Sequence, residues 1–66
     1  MSELYEVRRT GEYWGLFLRG LRKPIERFDY KEYAMDRGRT WVYGWDRPAV
    51  LVEYDDAGRG LVVECS

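Results

Sequence analysis

Residues 13–18 place apolar side chains on both faces of the chain when it is extended. The two faces consist of Trp14, Leu16 and Leu18 on one side and of Tyr13, Gly15 and Phe17 on the other. A strand of this kind is a central strand of a sheet, covered on both sides or at an interface. Gly15 lacks a side chain at a point where an aromatic ring could lie across the strand, or where a bulge could form. The chain has 66 residues, which is enough for one small domain only.

Signals for strands and turns surround this segment. Residues 3–9 alternate loosely in polarity and precede a Thr10-Gly11 turn, which predicts a hairpin between residues 3–9 and 12–19. Strand-forming residues and turn residues predict three further strands, at residues 40–45, 49–54 and 61–65.

A helix is expected between the hairpin and these strands. Asp29 is a suitable N-cap, Glu32 completes a capping box, and Gly38 is placed to end the helix. A helix this short is unstable alone, so it must pack on the sheet. The predicted fold is α+β: one domain over residues 1–66, with a small antiparallel sheet in the order β-β-α-β-β-β and one short helix on a face.

The composition argues against several chemistries. The chain contains no His and one Cys, Cys65, which excludes Ser-His-Asp and Cys-His catalytic sets and a Cys-based zinc site. We therefore predict that the protein is not an enzyme, with no catalytic residues, no cofactor and no metal. A charged fraction of 35% and a mean hydropathy of −0.61 argue against a membrane protein. The N-terminus does not read as a signal peptide, and a single thiol favours the cytoplasm.

Acidic residues concentrate toward the C-terminus, where residues 40–66 carry two basic and five acidic groups. The five are Asp46, Glu53, Asp55, Asp56 and Glu64. If the last two strands pair, Glu53 and Glu64 share a surface near the loop, and this patch could bind a basic surface of a partner protein. The alternative is that the carboxylates keep a sheet edge soluble.

Trp41, Tyr43 and Trp45 lie on one face of the strand predicted at residues 40–45. They could anchor a partner, because Trp and Tyr dominate interface hot spots, or they could form the core beneath the helix. One short helix cannot cover both faces of a five-stranded sheet. We therefore expect some aromatic surface to stay exposed for a partner or a second copy.

A basic segment offers an alternative function. Arg19, Arg22, Lys23 and Arg27 could bind nucleic acid, or they could form a solvated loop that pairs with Glu26 and Asp29. A net charge of −1 disfavours direct nucleic-acid binding.

In its size, predicted α+β domain, absent catalytic groups and split charge with aromatic residues, the chain resembles the small phage-encoded inhibitors of host defence, such as the anti-CRISPR proteins. The resemblance rests on these class features and assigns no individual residue. It implies stoichiometric binding to a protein or ribonucleoprotein complex, such as a CRISPR effector complex, and occlusion of a nucleic-acid-binding surface.

The prediction is therefore a non-enzymatic protein-protein interaction module. Its partner-binding residues would be Asp46, Glu53, Asp55, Asp56, Glu64, Trp41, Tyr43 and Trp45. The alternatives are a small nucleic-acid-binding sheet domain and a homodimeric structural accessory protein.

Overall fold

The computed structural model describes residues 2–66, which form a sheet with a helix across one face. The strands are β1 (Glu3–Thr10), β2 (Tyr13–Leu18), β3 (Glu26–Phe28), β4 (Ala49–Tyr54) and β5 (Gly60–Cys65), and the helix is α1 (Lys31–Tyr43). In the part of the chain that the structure describes, five strands and one helix confirm the predicted α+β class.

The sheet has the strand order β3-β2-β1-β4-β5. Strands β1 and β4 are parallel, whereas β1–β2, β2–β3 and β4–β5 are antiparallel pairs. Helix α1 crosses one face of the sheet and connects β3 to β4. Strand β4 then pairs with the free edge of β1 and runs in the same direction as β1. The sheet is therefore mixed, where the sequence predicts antiparallel pairing throughout.

Strand β2 lies between β3 and β1, so the interior position expected from its two apolar faces is confirmed. Leu16 is buried beneath α1 on one face, and Phe17 is only 3% exposed on the other. A Cβ atom at Gly15 would lie 2.5 Å from Cε1 of Phe17. The Phe17 ring therefore crosses the strand over Gly15, so of the two alternatives for this glycine the crossing aromatic ring is the one observed.

Helix α1 continues through Gly38 to Tyr43, so the predicted end at Gly38 is wrong. Gly38 is buried, and a Cβ atom there would lie 2.8 Å from Cδ1 of Leu51 on the sheet. The glycine thus permits close approach of the helix to the sheet. Val42, one turn further on, is fully buried, and its packing stabilises the later residues as helix.

The strand predicted at residues 40–45 is also wrong, because residues 40–43 belong to α1 and residues 44 and 45 to the following loop. The additional strand is β3, which precedes the helix. The alternation of Trp41, Tyr43 and Trp45 is typical of a strand, but the spacing of Trp41 and Trp45 also fits one helical turn.

The helix starts one residue later than the capping pattern predicts. Tyr30 is the N-cap, with φ −127° and ψ 144°, and it makes no side-chain cap hydrogen bond. The predicted cap, Asp29, precedes it. Glu32 does lie in the first turn, where its negative charge is favourable near the helix N-terminus.

The main core lies between α1 and the sheet face that it covers, here called the helix-side face. Its buried members are Tyr5, Val7, Leu16, Ala34, Met35, Val42, Ala49 and Leu51. The opposite face, here called the helix-free face, carries the even-numbered residues of β1 and their cross-strand neighbours. The two faces therefore offer different surfaces for binding.

Candidate functional site

Three aromatic rings, those of Tyr5, Trp41 and Trp45, form a line at the C-terminal end of α1, here called the aromatic row. The centroids of Tyr5 and Trp41 are 5.8 Å apart with planes at 42°, and those of Trp41 and Trp45 are 5.8 Å apart at 33°. Tyr5 is 3% exposed and Trp45 is 48% exposed. The row thus runs from the core to the surface, and the buried Tyr5 and the partly buried Trp41 support an exposed indole. The expectation that some aromatic surface stays exposed is confirmed.

Two grooves, of about 300 Å³ and about 160 Å³, border the aromatic row. An ion pair stands beside each one. Arg37 Nη1 lies 3.4 Å from Glu26 Oε1, and Arg47 Nη1 lies 3.0 Å from Glu3 Oε1. The Arg47 guanidinium carbon is also 5.7 Å from the centroid of Trp45. The exposed indole is therefore surrounded by charged groups that are already paired.

Tyr5, at the buried end of the aromatic row, keeps a neutral phenol over the physiological pH range. Burial raises the pKa of the Tyr5 phenol, and the Glu3 carboxylate raises it further. The row consequently offers apolar and hydrogen-bonding surface without a charge of its own.

Tyr43 does not belong to the aromatic row, so the predicted stripe of three aromatic residues on one face is wrong. Its hydroxyl donates a hydrogen bond to Glu64 Oε2 on β5, and Arg39 Nε donates to Oε1 of the same carboxylate at 3.0 Å. These two hydrogen bonds lower the pKa of Glu64, and the bond to Glu64 raises the pKa of Tyr43. Tyr43 therefore ties the helix to the outer strand.

Two of the predicted acidic residues, Glu53 and Glu64, lie on the helix-side face of β4 and β5. The structure thus brings them to one face, but each is held by a cation of the helix. Lys31 pairs with Glu53, and Arg39 pairs with Glu64. Their charges are largely neutralised within the molecule.

The other three acidic residues lie in loops. Asp55 Oδ1 accepts hydrogen bonds from the backbone N–H groups of Ala57 and Arg59, at 2.9 and 2.8 Å, so it organises the β4–β5 turn. Asp46 and Asp56 are exposed and, within residues 2–66, form no ion pair. The five carboxylates therefore do not form one continuous free patch.

Cations and aromatic rings stack on the helix-free face. The Arg8 guanidinium carbon lies 3.9 Å from the centroid of Phe17, and that of Arg27 lies 4.8 Å from the centroid of Tyr13. Arg8 and Arg27 are the cross-strand neighbours of Gly15 on its two sides. Gly15, which lies between the two arginines in the sheet, adds no side chain to this face.

A carboxylate lies beside these stacks. Glu6 Oε2 accepts hydrogen bonds from Arg19 Nη2 at 3.3 Å and from the Tyr54 hydroxyl at 3.1 Å. Arg8 Nε lies 3.7 Å from Glu6 Oε1. Glu6 is thus enclosed by two cations and a phenol, and its negative charge is offset.

The four predicted basic residues do not lie on one element: Arg27 is in β3, and Arg19 directly follows β2. Arg19 and Arg27 reach the helix-free face, whereas Arg22 and Lys23 are exposed in the connector before β3. The anticipated pairing with Glu26 does not form, because Glu26 pairs with Arg37. In the described part of the chain, Arg22 and Lys23 have no carboxylate partner.

Sequence reasoning missed Arg8, Glu6 and Tyr54 as functional candidates. The available signal is the alternation of residues 3–9, which places Tyr5 and Val7 on one face of an extended chain and Glu6 and Arg8 on the other. Tyr54 is at the equivalent face of β4, but this could be recognised only once β4 was known to pair with β1.

Other features of the surface complete the description. No helix among residues 2–66 has both the length and the apolar character needed to cross a membrane. No group of three or more metal-ligating side chains comes together in that range. Cys65 is exposed at the end of the outer strand β5, where Leu61 and Val62 are also exposed. The outer edge of β5 could pair with a second copy of the chain. The homodimer stays a prediction.

No known protein-family model matches this sequence, and neither a curated protein nor a solved structure shows significant similarity to it.

Proposed function

We propose that the protein is a non-enzymatic binding module that contacts a partner protein through the aromatic row. The observation that supports this most is the half-exposed indole of Trp45, which rests on Trp41 and Tyr5. Trp residues held rigidly in this way lose little conformational freedom on binding and are enriched in interface hot spots.

The surroundings of Trp45 also favour a protein partner. Binding interfaces combine an apolar centre with a polar rim. Here the row supplies the centre, and the Glu26–Arg37 and Glu3–Arg47 pairs supply the rim. The paired rim charges do not repel either sign of charge, so the expected occupant is an apolar side chain or loop of the partner, docked into the groove of about 300 Å³.

The resemblance to small phage inhibitors gives this proposal a specific form. The partner would be a cytoplasmic nucleic-acid-handling complex, and binding of this module would block one of its nucleic-acid-binding surfaces. Among the acidic residues, Asp46 and Asp56 are the ones that could meet basic groups of the partner without first breaking an ion pair, within the described residues.

The test compares the protein with two alanine variants as bait in a lysate of the natural host, where the proposed partner complex is found. Trp45→Ala removes the exposed end of the row. Tyr30→Ala removes a ring that is 60% exposed, against 48% for Trp45, at the far end of α1, and is the control. We expect a partner that is retained by the wild-type protein and by Tyr30→Ala and lost by Trp45→Ala. Circular dichroism confirms that both variants fold.

A purified partner then allows the affinity to be measured. We expect Trp45→Ala to weaken binding by about thirty-fold, as for a hot-spot residue, and an equimolar amount of wild-type protein to block binding of nucleic acid to the partner. Equal affinity of Trp45→Ala and wild type would refute the role of the aromatic row. Binding that leaves the partner's nucleic-acid binding intact would refute the inhibitor proposal.

A further inference from the structure

The net charge of −1 conceals a division of charge between two parts of the molecule. The helix-free face and the connector before β3 together carry five basic residues and one acidic residue, Glu6. The basic residues are Arg8, Arg19, Arg22, Lys23 and Arg27. The remaining positions carry six basic and eleven acidic residues. Positive charge is therefore concentrated on one part of the surface.

The pairing of the charges sharpens this division. Outside the helix-free face and the connector, five cations bind a carboxylate of the same chain. They are Lys31, Arg37, Arg39, Arg47 and Arg59. The sixth cation there, Arg9, has no carboxylate partner in the described chain and donates a hydrogen bond to the Gly11 carbonyl. Arg22, Lys23 and Arg27 likewise have no carboxylate partner among residues 2–66. The unneutralised cations of the described chain thus lie mainly on and beside the helix-free face, where they attract a polyanion.

The helix-free face also provides flat stacking groups. The Arg8 guanidinium lies over the Phe17 ring and the Arg27 guanidinium over the Tyr13 ring, with the two arginines in the strands that flank β2. Neighbouring strands are about 4.8 Å apart, so the α-carbons of Arg8 and Arg27 are separated by about twice that spacing. Nucleic-acid bases stack on aromatic rings and on guanidinium planes. The two stacks therefore provide platforms for two bases.

Glu6 is the carboxylate within this face, and Asp55 and Asp56 border it in a groove that they line together with Glu6 and Arg8. Glu6 is hydrogen bonded by Arg19 and Tyr54 and lies beside Arg8. Its charge is consequently offset by two cations. The free cations Arg22 and Lys23 in the connector remain available to phosphates.

We propose that the helix-free face and the connector before β3 bind single-stranded nucleic acid. The bases stack on the Arg8–Phe17 and Arg27–Tyr13 platforms, and Arg22 and Lys23 contact the backbone phosphates. A duplex keeps its bases stacked inside the helix and offers nothing to these platforms, whereas a single strand exposes them. This site is separate from the aromatic row and does not depend on the function proposed above.

The test is fluorescence anisotropy at low salt with labelled oligonucleotides of about 12 nucleotides. Single-stranded RNA and single-stranded DNA of the same sequence show which of the two nucleic acids the site binds. A DNA duplex and poly-glutamate are the competing polyanions. We expect at least one of the single strands to bind more tightly than the duplex and poly-glutamate.

Variants separate stacking from charge. We expect Arg27→Ala to weaken binding by about ten-fold and Arg27→Lys to restore little of it, because lysine keeps the charge but lacks the planar group. Removal of one phosphate contact by Lys23→Ala should reduce the slope of log Kd against log salt by about 0.7. Arg59→Ala is the control, because it removes a cation that is 83% exposed and lies outside the site.

Several results would overturn the proposal. These are no binding of either single strand at low salt, equal binding of the duplex or of poly-glutamate, and full restoration by Arg27→Lys. The last two would indicate a general polyanion surface, including one for an acidic protein. Trp45→Ala should leave single-strand binding unchanged, so failure of this proposal and failure of the aromatic-row proposal are distinguishable.

Discussion

At the scale of single residues, Glu64 shows how one carboxylate links two elements. It accepts hydrogen bonds from Tyr43 and Arg39 of the helix while lying on the outer strand β5. Because both bonds favour the ionised form, the pKa of Glu64 is lowered in the folded protein from its ordinary value of 4.5. Glu64 therefore couples the attachment of β5 to the pH.

We expect Glu64 to stabilise the fold in a pH-dependent way. A lowered folded-state pKa gives stability that is present above pH 4.5 and is lost as the pH falls through the lower, folded-state value. Glu64→Gln should therefore be less stable than wild type at pH 7, with the difference shrinking below pH 4.5. Urea unfolding, followed by tryptophan fluorescence at several pH values, measures this.

The control for this prediction is Asp46→Asn, which neutralises an exposed carboxylate that makes no ion pair within the described residues. It should unfold like the wild-type protein over the same pH range. A difference between Glu64→Gln and wild type that stays constant from pH 7 into the acid range would contradict the assigned role of Glu64.

At the scale of elements, the contact between α1 and the sheet depends on Gly38. The two Cδ atoms of Leu51 would lie 2.8 and 3.0 Å from a Cβ atom at this position. Leu51 is fully buried, and protein interiors are close-packed, so a shift of its side chain must displace neighbouring groups. The helix is therefore seated closely on β4 at this point.

Gly38→Ala should destabilise the protein for this reason. Overpacking costs about 1–3 kcal/mol, against about 1 kcal/mol gained when alanine replaces a glycine within a helix, so the net loss is up to about 2 kcal/mol. Leu51→Val makes room at the contact. In a double-mutant cycle, the two changes together should cost less than the sum of the single changes. Additive effects would show that Gly38 and Leu51 do not constrain each other.

How far the sequence predicts this molecule can also be judged from its elements. The two apolar faces of residues 13–18 and the missing side chain of Gly15 correctly predict an interior strand crossed by Phe17. The end of α1 was mispredicted, because Gly38 also fits a C-cap and the spacing of Trp41, Tyr43 and Trp45 also fits a strand. The burial of Val42 against the sheet favours a continued helix over an end at Gly38 followed by a strand.

The candidate sites were less predictable than the fold. Trp45 and Trp41 were recognised, but the aromatic row needs Tyr5, which comes from the opposite end of the chain. The platforms on the helix-free face likewise depend on the register that sets Arg8 and Arg27 on either side of Gly15. Contacts between distant segments are determined by topology, which local patterns do not encode.

At the scale of the whole molecule, the division of charge matters more than its sum. A protein with a net charge of −1 and a pI near 5.4 should not bind a cation exchanger at pH 7 if its charges are evenly distributed. Because Arg22, Lys23 and Arg27, three of the four cations without a carboxylate partner in the described chain, lie on one part of the surface, the protein should nevertheless be retained on a sulfonate column at low ionic strength.

The double variant Arg22→Ala with Lys23→Ala should leave that column at a clearly lower salt concentration, because it removes two of the unpaired cations. Arg59→Ala removes a cation that pairs with Asp55 and should elute close to the wild-type position. Passage of the wild-type protein through the column without retention would show that the charges are not separated in solution.

The parallel pairing of β1 and β4 has a consequence for the order of assembly. The middle of the sheet joins residues from the beginning of the chain to residues near its end. During synthesis, the first three strands are therefore complete while β1 still has an unpaired edge, and the ribosome must deliver residues 49–54 before this edge can close. A nascent chain that stalls before that point exposes an unpaired strand edge, to which other chains can bind. Synthesis of the final hairpin therefore determines when β1 is protected from aggregation.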